Sequence, residues 1–311
     1  MVTAASDPAV HGAVHDGVHG WLVIDKPYGI TSARAVALVR RSTGAKVGHA
    51  GTLDPLATGV LPLALGEATK TVQFVSAGRK TYRFRVRWGA QTDTDDREGA
   101  VIAETDARPD AAAITAALPS FTGRVLQRPP AYSAIKIAGR RAYALARAGR
   151  PPEMIARPVE IAELRLLSAA DPDHADLEAV CGEGTYIRAL ARDLAEALGT
   201  LGHIAELRRL SVGRFTEAQA ISLASAVALG HSLANSEHLL PIETALDDIP
   251  ALALTAEEAA RLCHGQRVTP QLACLADIAE GAIVGARHDR LLVGLARIEG
   301  GALRPVRIIN R

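Results

Sequence analysis

The stretch Gly48-His-Ala-Gly-Thr-Leu-Asp54-Pro-Leu-Ala-Thr-Gly59-Val-Leu-Pro-Leu-Ala-Leu-Gly66-Glu-Ala-Thr-Lys70 is a glycine-punctuated loop that holds one acid and then runs into an apolar strand. Glycines at 48, 51 and 59 let the backbone take positive φ and let a bulky ligand come close, and Pro55 stiffens the chain directly after Asp54. An acid so placed is presented to a ligand rather than hidden. The plainer reading is an Asx-turn, in which Asp54 only accepts backbone hydrogen bonds. The length of the surrounding pattern favours a reactive carboxylate.

Upstream of the loop, residues 21–24 read as a strand, and Thr31 caps a helix to about Arg41 with Ala35, Leu38 and Val39 at helical spacing. Downstream, after the strand 59–65 and a short helix near 68–75, residues 80–88 alternate. Tyr82, Phe84, Val86 and Trp88 fall on one face and Arg83, Arg85 and Arg87 on the other, the mark of a half-buried strand with a basic outer face. By parity Tyr82 is either a core residue or, being at the strand's start, a functional one. A polar stretch at 91–99 leads to a helix near 111–118 and then to the basic segment 124–150, with Pro129-Pro130, Tyr132 and Tyr143. Strands near 159–167 and 177–180 precede Gly184-Thr185, where Thr185 is expected to cap a helix reaching Leu198, so that Arg188 lies in its first turn. Near residue 245 Pro241 and Pro250 bracket an acidic link. Thr255 and Glu258 then form a capping box, and short apolar segments separated by glycines run to the end.

A chain of 311 residues, 48% hydrophobic and 22% charged, is long enough for two cores. No apolar run approaches the ~20 residues of a membrane span, and the N-terminus lacks the basic and apolar regions of a signal peptide, so a soluble cytoplasmic protein is expected. Cys181, Cys263 and Cys274 are far apart and in no Cys-x-x-Cys arrangement, which argues against a disulfide framework or a zinc knuckle; Cys181 reads as a buried strand residue. The net charge of +1 hides an uneven spread. Residues 21–100 carry 12 Lys and Arg against 7 Asp and Glu, and residues 121–160 carry 8 against 2. Such segments suit a polyanion, although the dominance of Arg over Lys fits compositional bias equally well. Residues 1–19 read as a flexible tail. His11, His15 and His19 recur every four positions there, but Gly12, Gly17 and Gly20 disfavour the helix that would gather them on a metal, and no metal is assigned to the chain.

The loop resembles the catalytic motif of the TruB type of tRNA pseudouridine synthase, and three further blocks follow the same family in order. Leu22-Val-Ile-Asp25-Lys26-Pro27-Tyr-Gly29 is similar to its opening strand and turn, Lys80-Thr-Tyr82 to its tyrosine strand, and Gly182-Glu-Gly184-Thr-Tyr186-Ile-Arg188 to its arginine-bearing motif; Leu207-Arg-Arg-Leu210 matches a further segment. The resemblance covers about residues 20–215. It implies an α+β pseudouridine synthase fold, a mixed, mostly antiparallel sheet flanked by helices, over 20–245. It also implies an inserted thumb at about 124–152 and, by a weaker match, a small β-rich PUA-like RNA-binding domain over 250–311. Without the resemblance, the thumb reads as a hairpin plus amphipathic helix and the C-terminal unit as a barrel that buttresses the fold.

The implied reaction isomerises uridine 55 in the T-loop of tRNA to pseudouridine, with no cofactor and no metal, in a monomer that grips the T-arm stem-loop. Asp54 attacks C1′ of the ribose or C6 of the uracil, or stabilises the cationic sugar. A carboxylate in a dry pocket loses its charge unless a cation stands nearby, and Arg188 is the expected partner. Tyr82 stacks on the flipped base. His49 fills the space the base vacates, because turning a nucleotide out of its stack costs about a few kcal/mol. Lys26 braces the Asp54 loop, Tyr186 contacts the Asp–Arg pair or the ribose, and Leu207 packs on the base. Ala50 stands where many members carry Thr. Two rivals remain: a noncatalytic RNA-binding or tRNA-folding chaperone, and phosphoryl transfer, for which Gly66-Glu-Ala-Thr-Lys70-Thr71 has the wrong spacing.

Overall fold

The computed structural model describes residues 17–137, 139–270 and 278–310. His11, His15 and Cys274 lie outside the described residues. The chain runs β1 (Gly20–Lys26), α1 (Ser32–Thr43), β2 (Val47–His49), β3 (Thr58–Leu65), α2 (Val72–Ala77), β4 (Lys80–Trp88) and the ribbon β5 (Ala90–Thr92) with β6 (Val101–Glu104). It continues through α3 (Ala111–Ala117), β7 (Gly123–Gln127), the ribbon β8 (Lys136–Ile137) with β9 (Arg140–Arg141), and α4 (Ala142–Arg147). The long strands β10 (Arg157–Asp171) and β11 (His174–Cys181), helix α5 (Ile187–Ala197) and strand β12 (Gly202–Val212) complete the central part.

The main sheet has the order β1-β3-β12-β4-β11-β10-β7, antiparallel throughout except where β12 runs parallel to β3. β1 and β3 are buried on both faces, which is why they read as unbroken apolar runs. Leu22, Ile24, Leu61 and Leu63 pack on one side with Phe84, Val86, Trp88 and the inner face of α5. Trp21, Val23, Val60 and Ala64 pack on the other with Phe215, Leu292, Leu295 and Ile309, and the Trp21 and Phe215 rings lie 5.1 Å apart. β4 alternates as its sequence indicates, with Tyr82, Phe84, Val86 and Trp88 buried and Arg83 and Arg87 exposed. Its basic face is laced to acids on neighbouring strands: Arg85 grips Asp176 with two bonds of 2.8 and 2.9 Å, and Arg83 faces Glu178 at 3.5 Å.

Beyond β12 come β13 (Phe215–Thr216), β14 (Ile221–Ser222), α6 (Leu223–Leu229) and β15 (Leu239–Leu240). A second sheet follows, formed by β16 (Ala251–Ala253), β17 (Ile283–His288), β18 (Leu291–Glu299) and β19 (Ala302–Ile308) with α7 (Ala256–Cys263) against it. Its own core gathers Leu252, Leu262, Val284, Ile298 and Leu303. Both bonds of the Thr255–Glu258 capping box are present. Lys70 reaches the Ile308 carbonyl at 2.7 Å, tying this sheet to the body of the molecule.

One local expectation is corrected, and one strand is added. Thr185 does not cap α5: the N-cap is Tyr186, whose side chain makes no capping bond. Gln127 of β7 takes over, accepting from the Tyr186 N–H at 2.8 Å and donating to its carbonyl at 3.1 Å. The Leu207-Arg-Arg-Leu210 block lies in a central strand, β12, that periodicity does not reveal. A register shift between Ile204 and Glu206 breaks the two-residue period.

The Asp54 loop is held at both ends. Ser32 at the start of α1 donates to the Leu53 carbonyl and accepts from its N–H, at 3.0 and 2.8 Å. The Gly29 N–H donates to the Pro55 carbonyl at 2.9 Å. Lys26, fully buried, donates to the carbonyls of Pro27, Ile30 and Pro55 at 2.8, 2.7 and 3.2 Å. Gly59 has φ +99°, and a Cβ there would lie 2.2 Å from the Arg209 carbonyl oxygen. Gly59→Ala is therefore expected to lower unfolding stability by about 2 kcal/mol or more, read from urea denaturation. Burial pulls the Lys26 ammonium down to about 8, with Asp54 pulling the other way. The folded value lies below the unfolded one, so between about 8 and 10.5 the unfolded chain binds more protons and this group's contribution to stability rises with pH. Measured from pH 7 to 10, the stability of the parent relative to Lys26→Met is expected to climb once pH passes about 8.

Candidate active site

Asp54 reaches the site on its glycine loop and Arg188 from the first turn of α5. Arg188 donates through Nε to Asp54 Oδ2 at 2.9 Å, and its Nη2 lies 2.9 Å from the same oxygen. The rest of the guanidinium is fixed by carbonyls: Nη1 donates to Thr94 at 2.8 Å and Nη2 to Tyr132 at 2.9 Å, while Asp96 stands 3.6 Å from Nη1. The two side chains are exposed to very different degrees, 4% for Arg188 and 35% for Asp54. The cation is locked into the wall and the carboxylate remains reachable, with Oδ1 free of hydrogen bonds among the described residues.

The pair opens into a cavity of about 720 Å³, a size typical of small-ligand sites. All the site residues named from the sequence line it except Lys26, which braces the loop from behind through the Pro55 carbonyl. Tyr82, at the start of β4, is nearly buried; burial pushes its phenol pKa up, against the pull of the Arg209 guanidinium. His49 has a buried Nδ1 without a hydrogen-bond partner among the described residues. Burial, helped by Arg209, lowers its pKa, so the ring is neutral at pH 7. The Tyr186 ring carries the Arg157 guanidinium 5.5 Å from its centroid. Leu207 presents an apolar surface from β12, nearly buried.

Sequence reasoning missed several groups. Arg209 is 1% exposed, pairs in register with Tyr82, and donates to the carbonyls of Val60 at 2.8 Å and Gly51 at 2.9 Å. The signal was within the Leu207-Arg-Arg-Leu210 block, since residue 209 shares the face of Leu207 by strand parity. Lys80 and Arg157 also line the cavity. The carbonyls of Thr94 and Tyr132 leave no trace in the sequence, because any residue supplies one. Among the described residues no cluster of three or more His, Cys, Asp or Glu is arranged to hold a metal ion.

Comparison with known proteins finds relatives over most of the chain. The model of the TruB family pseudouridylate synthase N-terminal domain matches residues 39–187. A tRNA pseudouridylate synthase B C-terminal domain matches 188–247, and a C-terminal model of pseudouridine synthase II TruB matches 250–309. The chain is 54% identical over 298 residues to the tRNA pseudouridine synthase B of Rhodospirillum rubrum, spanning 94% of this chain and 97% of that one. It is 52% identical over 301 residues to the enzyme of the same name from Caulobacter vibrioides, spanning 95% and 97%. Among solved structures, a chain of a Cbf5-Nop10-Gar1 complex superposes with a TM-score of 0.72 at 24% identity, over 94% of this chain and 85% of that one, a likeness of fold. With family models matching most of its length and relatives more than half identical matched nearly end to end, the chain belongs to the TruB family of pseudouridylate synthases.

Proposed function

We propose that the protein isomerises uridine 55 of the tRNA T-loop to pseudouridine, with Asp54 as the reacting carboxylate. The observation that carries this is the Asp54–Arg188 pair on the wall of a cavity large enough for a nucleotide. Arg188 pairs with the carboxylate and aims it, and Oδ1 is left for C1′ or C6 of the flipped nucleoside. Tyr82 stacks on the base, Leu207 packs against it, Tyr186 meets the ribose, and neutral His49 occupies the gap left in the RNA. The neutral state of His49 suits stacking, since an imidazolium would carry charge between bases. Lys26 acts indirectly, by holding the loop.

In the same reading, residues 20–245 form the catalytic domain, the basic segment near 124–152 closes on the T-arm as a thumb, and residues 250–311 serve as a PUA-like RNA-binding domain in a cytoplasmic monomer. The basic segment supports this with exposed Arg140, Arg141 and Arg150 and with Arg147 stacked 5.7 Å from the Tyr143 ring. No metal or redox carrier enters the reaction, which only moves a bond within one nucleotide.

The test is tritium release from a T-arm transcript carrying C5-tritiated uridine at position 55, in the presence of a chelator. The parent protein is expected to release it, and Asp54→Asn to bind the transcript with near-parent affinity while release falls by at least about 10⁴-fold. Unimpaired release by Asp54→Asn removes Asp54 from its role. Absence of release by the parent leaves only an RNA-binding protein.

A further inference from the structure

We propose that Lys80 and Arg209 form a cationic wall of the uridine cavity that takes up the negative charge the pyrimidine acquires when its bond to the sugar breaks; this rests on the function proposed above. Both side chains line the same cavity as Asp54, and they are 6% and 1% exposed. Neither has a carboxylate within 4.0 Å among the described residues. Lys80 donates to the Ser76 carbonyl, and Arg209 to the carbonyls of Gly51 and Val60. Glu183, whose charge acts on Lys80 from the cavity lining, is exposed. The neighbouring Cys181 thiol is pushed up to about 11 by burial and supplies no counter-charge at pH 7; nor does the buried Tyr82 phenol.

This differs from the protein's other buried guanidinium groups. Arg188 has Asp54 and Asp96, and Arg192 has Asp95 and Asp193 at 2.8 Å each. Buried cations without an anionic partner carry a desolvation cost, and here two sit side by side: Arg209 Nη1 and Lys80 Cε lie 3.2 and 3.9 Å from where a Gly51 Cβ would stand. The free protein therefore holds an unmet demand for an anion at the face of the cavity formed by Tyr82 and the Asp54 loop. A phosphate of the RNA is an alternative source, which the salt dependence below separates. Arg209, however, is 1% exposed and bonded to the Gly51 and Val60 carbonyls, which sets it back from the surface that a backbone phosphate would follow.

The reaction generates such an anion. When the N1–C1′ bond breaks, its electron pair stays on the pyrimidine, spread over N1, O2 and O4, and C1′ is left electron-poor beside the Asp54 carboxylate. After the ring turns, C5 donates a pair to C1′ and any bond to Asp54 is released. C5 then loses one proton and N1 gains one, so the product is an isomer of the substrate. Asp54 and Arg188 attend to the sugar, while Lys80 and Arg209 offset the charge on the base.

The discriminating experiment varies the stability of the departing base. Fluorine at C5 withdraws electrons and makes the pyrimidine anion easier to form, so a T-arm transcript with 5-fluorouridine at the target needs the cationic wall less. Lys80→Met and Lys80→Gln keep the side-chain stem and remove its charge. Both are expected to bind the uridine transcript within about threefold of the parent and to convert it about 100-fold more slowly under single turnover, as for loss of one charge-stabilising group. With 5-fluorouridine, followed as loss of the unrearranged nucleoside after nuclease digestion, the deficit is expected to shrink by about tenfold. Equal deficits on the two substrates, or no deficit on uridine, overturn the proposal. So does lost affinity with a shallower salt dependence and a parent-like rate on bound RNA, which marks a phosphate contact. Failure of the parent to convert uridine would instead remove the function on which the proposal rests.

Discussion

The ion pair between Asp54 and Arg188 is the constraint on which the site depends. It joins residues separated by 134 positions, and through the Thr94 and Tyr132 carbonyls the same guanidinium gathers two further segments. A guanidinium suits this position better than an ammonium, because its planar fork offers several donors in fixed directions. The desolvation burden falls almost wholly on Arg188, whose charge is compensated by carbonyl dipoles and by Asp96 as well as by Asp54. Asp54, one third exposed, is relieved of that burden. This asymmetry sets the pair apart from Arg192 and Asp95, which, each 9% exposed, are buried equally.

The loop that carries Asp54 is as constrained as the pair itself. Arg209 binds the carbonyls of Gly51 and Val60, on either side of the acid, and its own backbone leaves no room for a Cβ at Gly59. Ser32 and Lys26 hold the middle. Nearly every anchor is a polar side chain satisfied by backbone carbonyls, an arrangement that rigidifies only when it is complete. β3 and β1 behind the loop are packed from both sides, so the acid is supported by a wall of fixed position.

How much of this was legible in the residues depended on the kind of signal. β4 was readable because each inward position is apolar and each outward one is Arg or Thr, with Lys80 at its edge the exception. β1 and β3 were readable as apolar runs between turns. β12 was not, since a register shift puts Ile204 and Leu207 three apart and a buried arginine follows. The start of α5 was misread at Thr185 because its true support, Gln127, is 59 residues away and no local pattern encodes it. Within the site, Asp54, Tyr82 and Arg188 were named from motif resemblance, and their meeting around one cavity depends on long-range packing. Arg209 was overlooked because a buried guanidinium bonded to carbonyls has no acidic partner whose sequence spacing could announce it.

The basic segment illustrates how the rigid wall and its surroundings are coupled. Its entry, Tyr132, is not a free tether: its carbonyl accepts from Arg188 at 2.9 Å, and its hydroxyl reaches Asp93 at 3.4 Å. The ribbon β8–β9 and helix α4 that follow are fastened by local bonds, from Ala142 to Ile135 and from Tyr143 to Ser133. Displacement of this segment about its base must therefore stretch a bond to the guanidinium that holds Asp54. Because that bond shares Nη2 with the carboxylate contact, a change at Tyr132 is transmitted to Asp54 through one guanidinium, whereas β1 and β3 behind the loop are clamped between two cores.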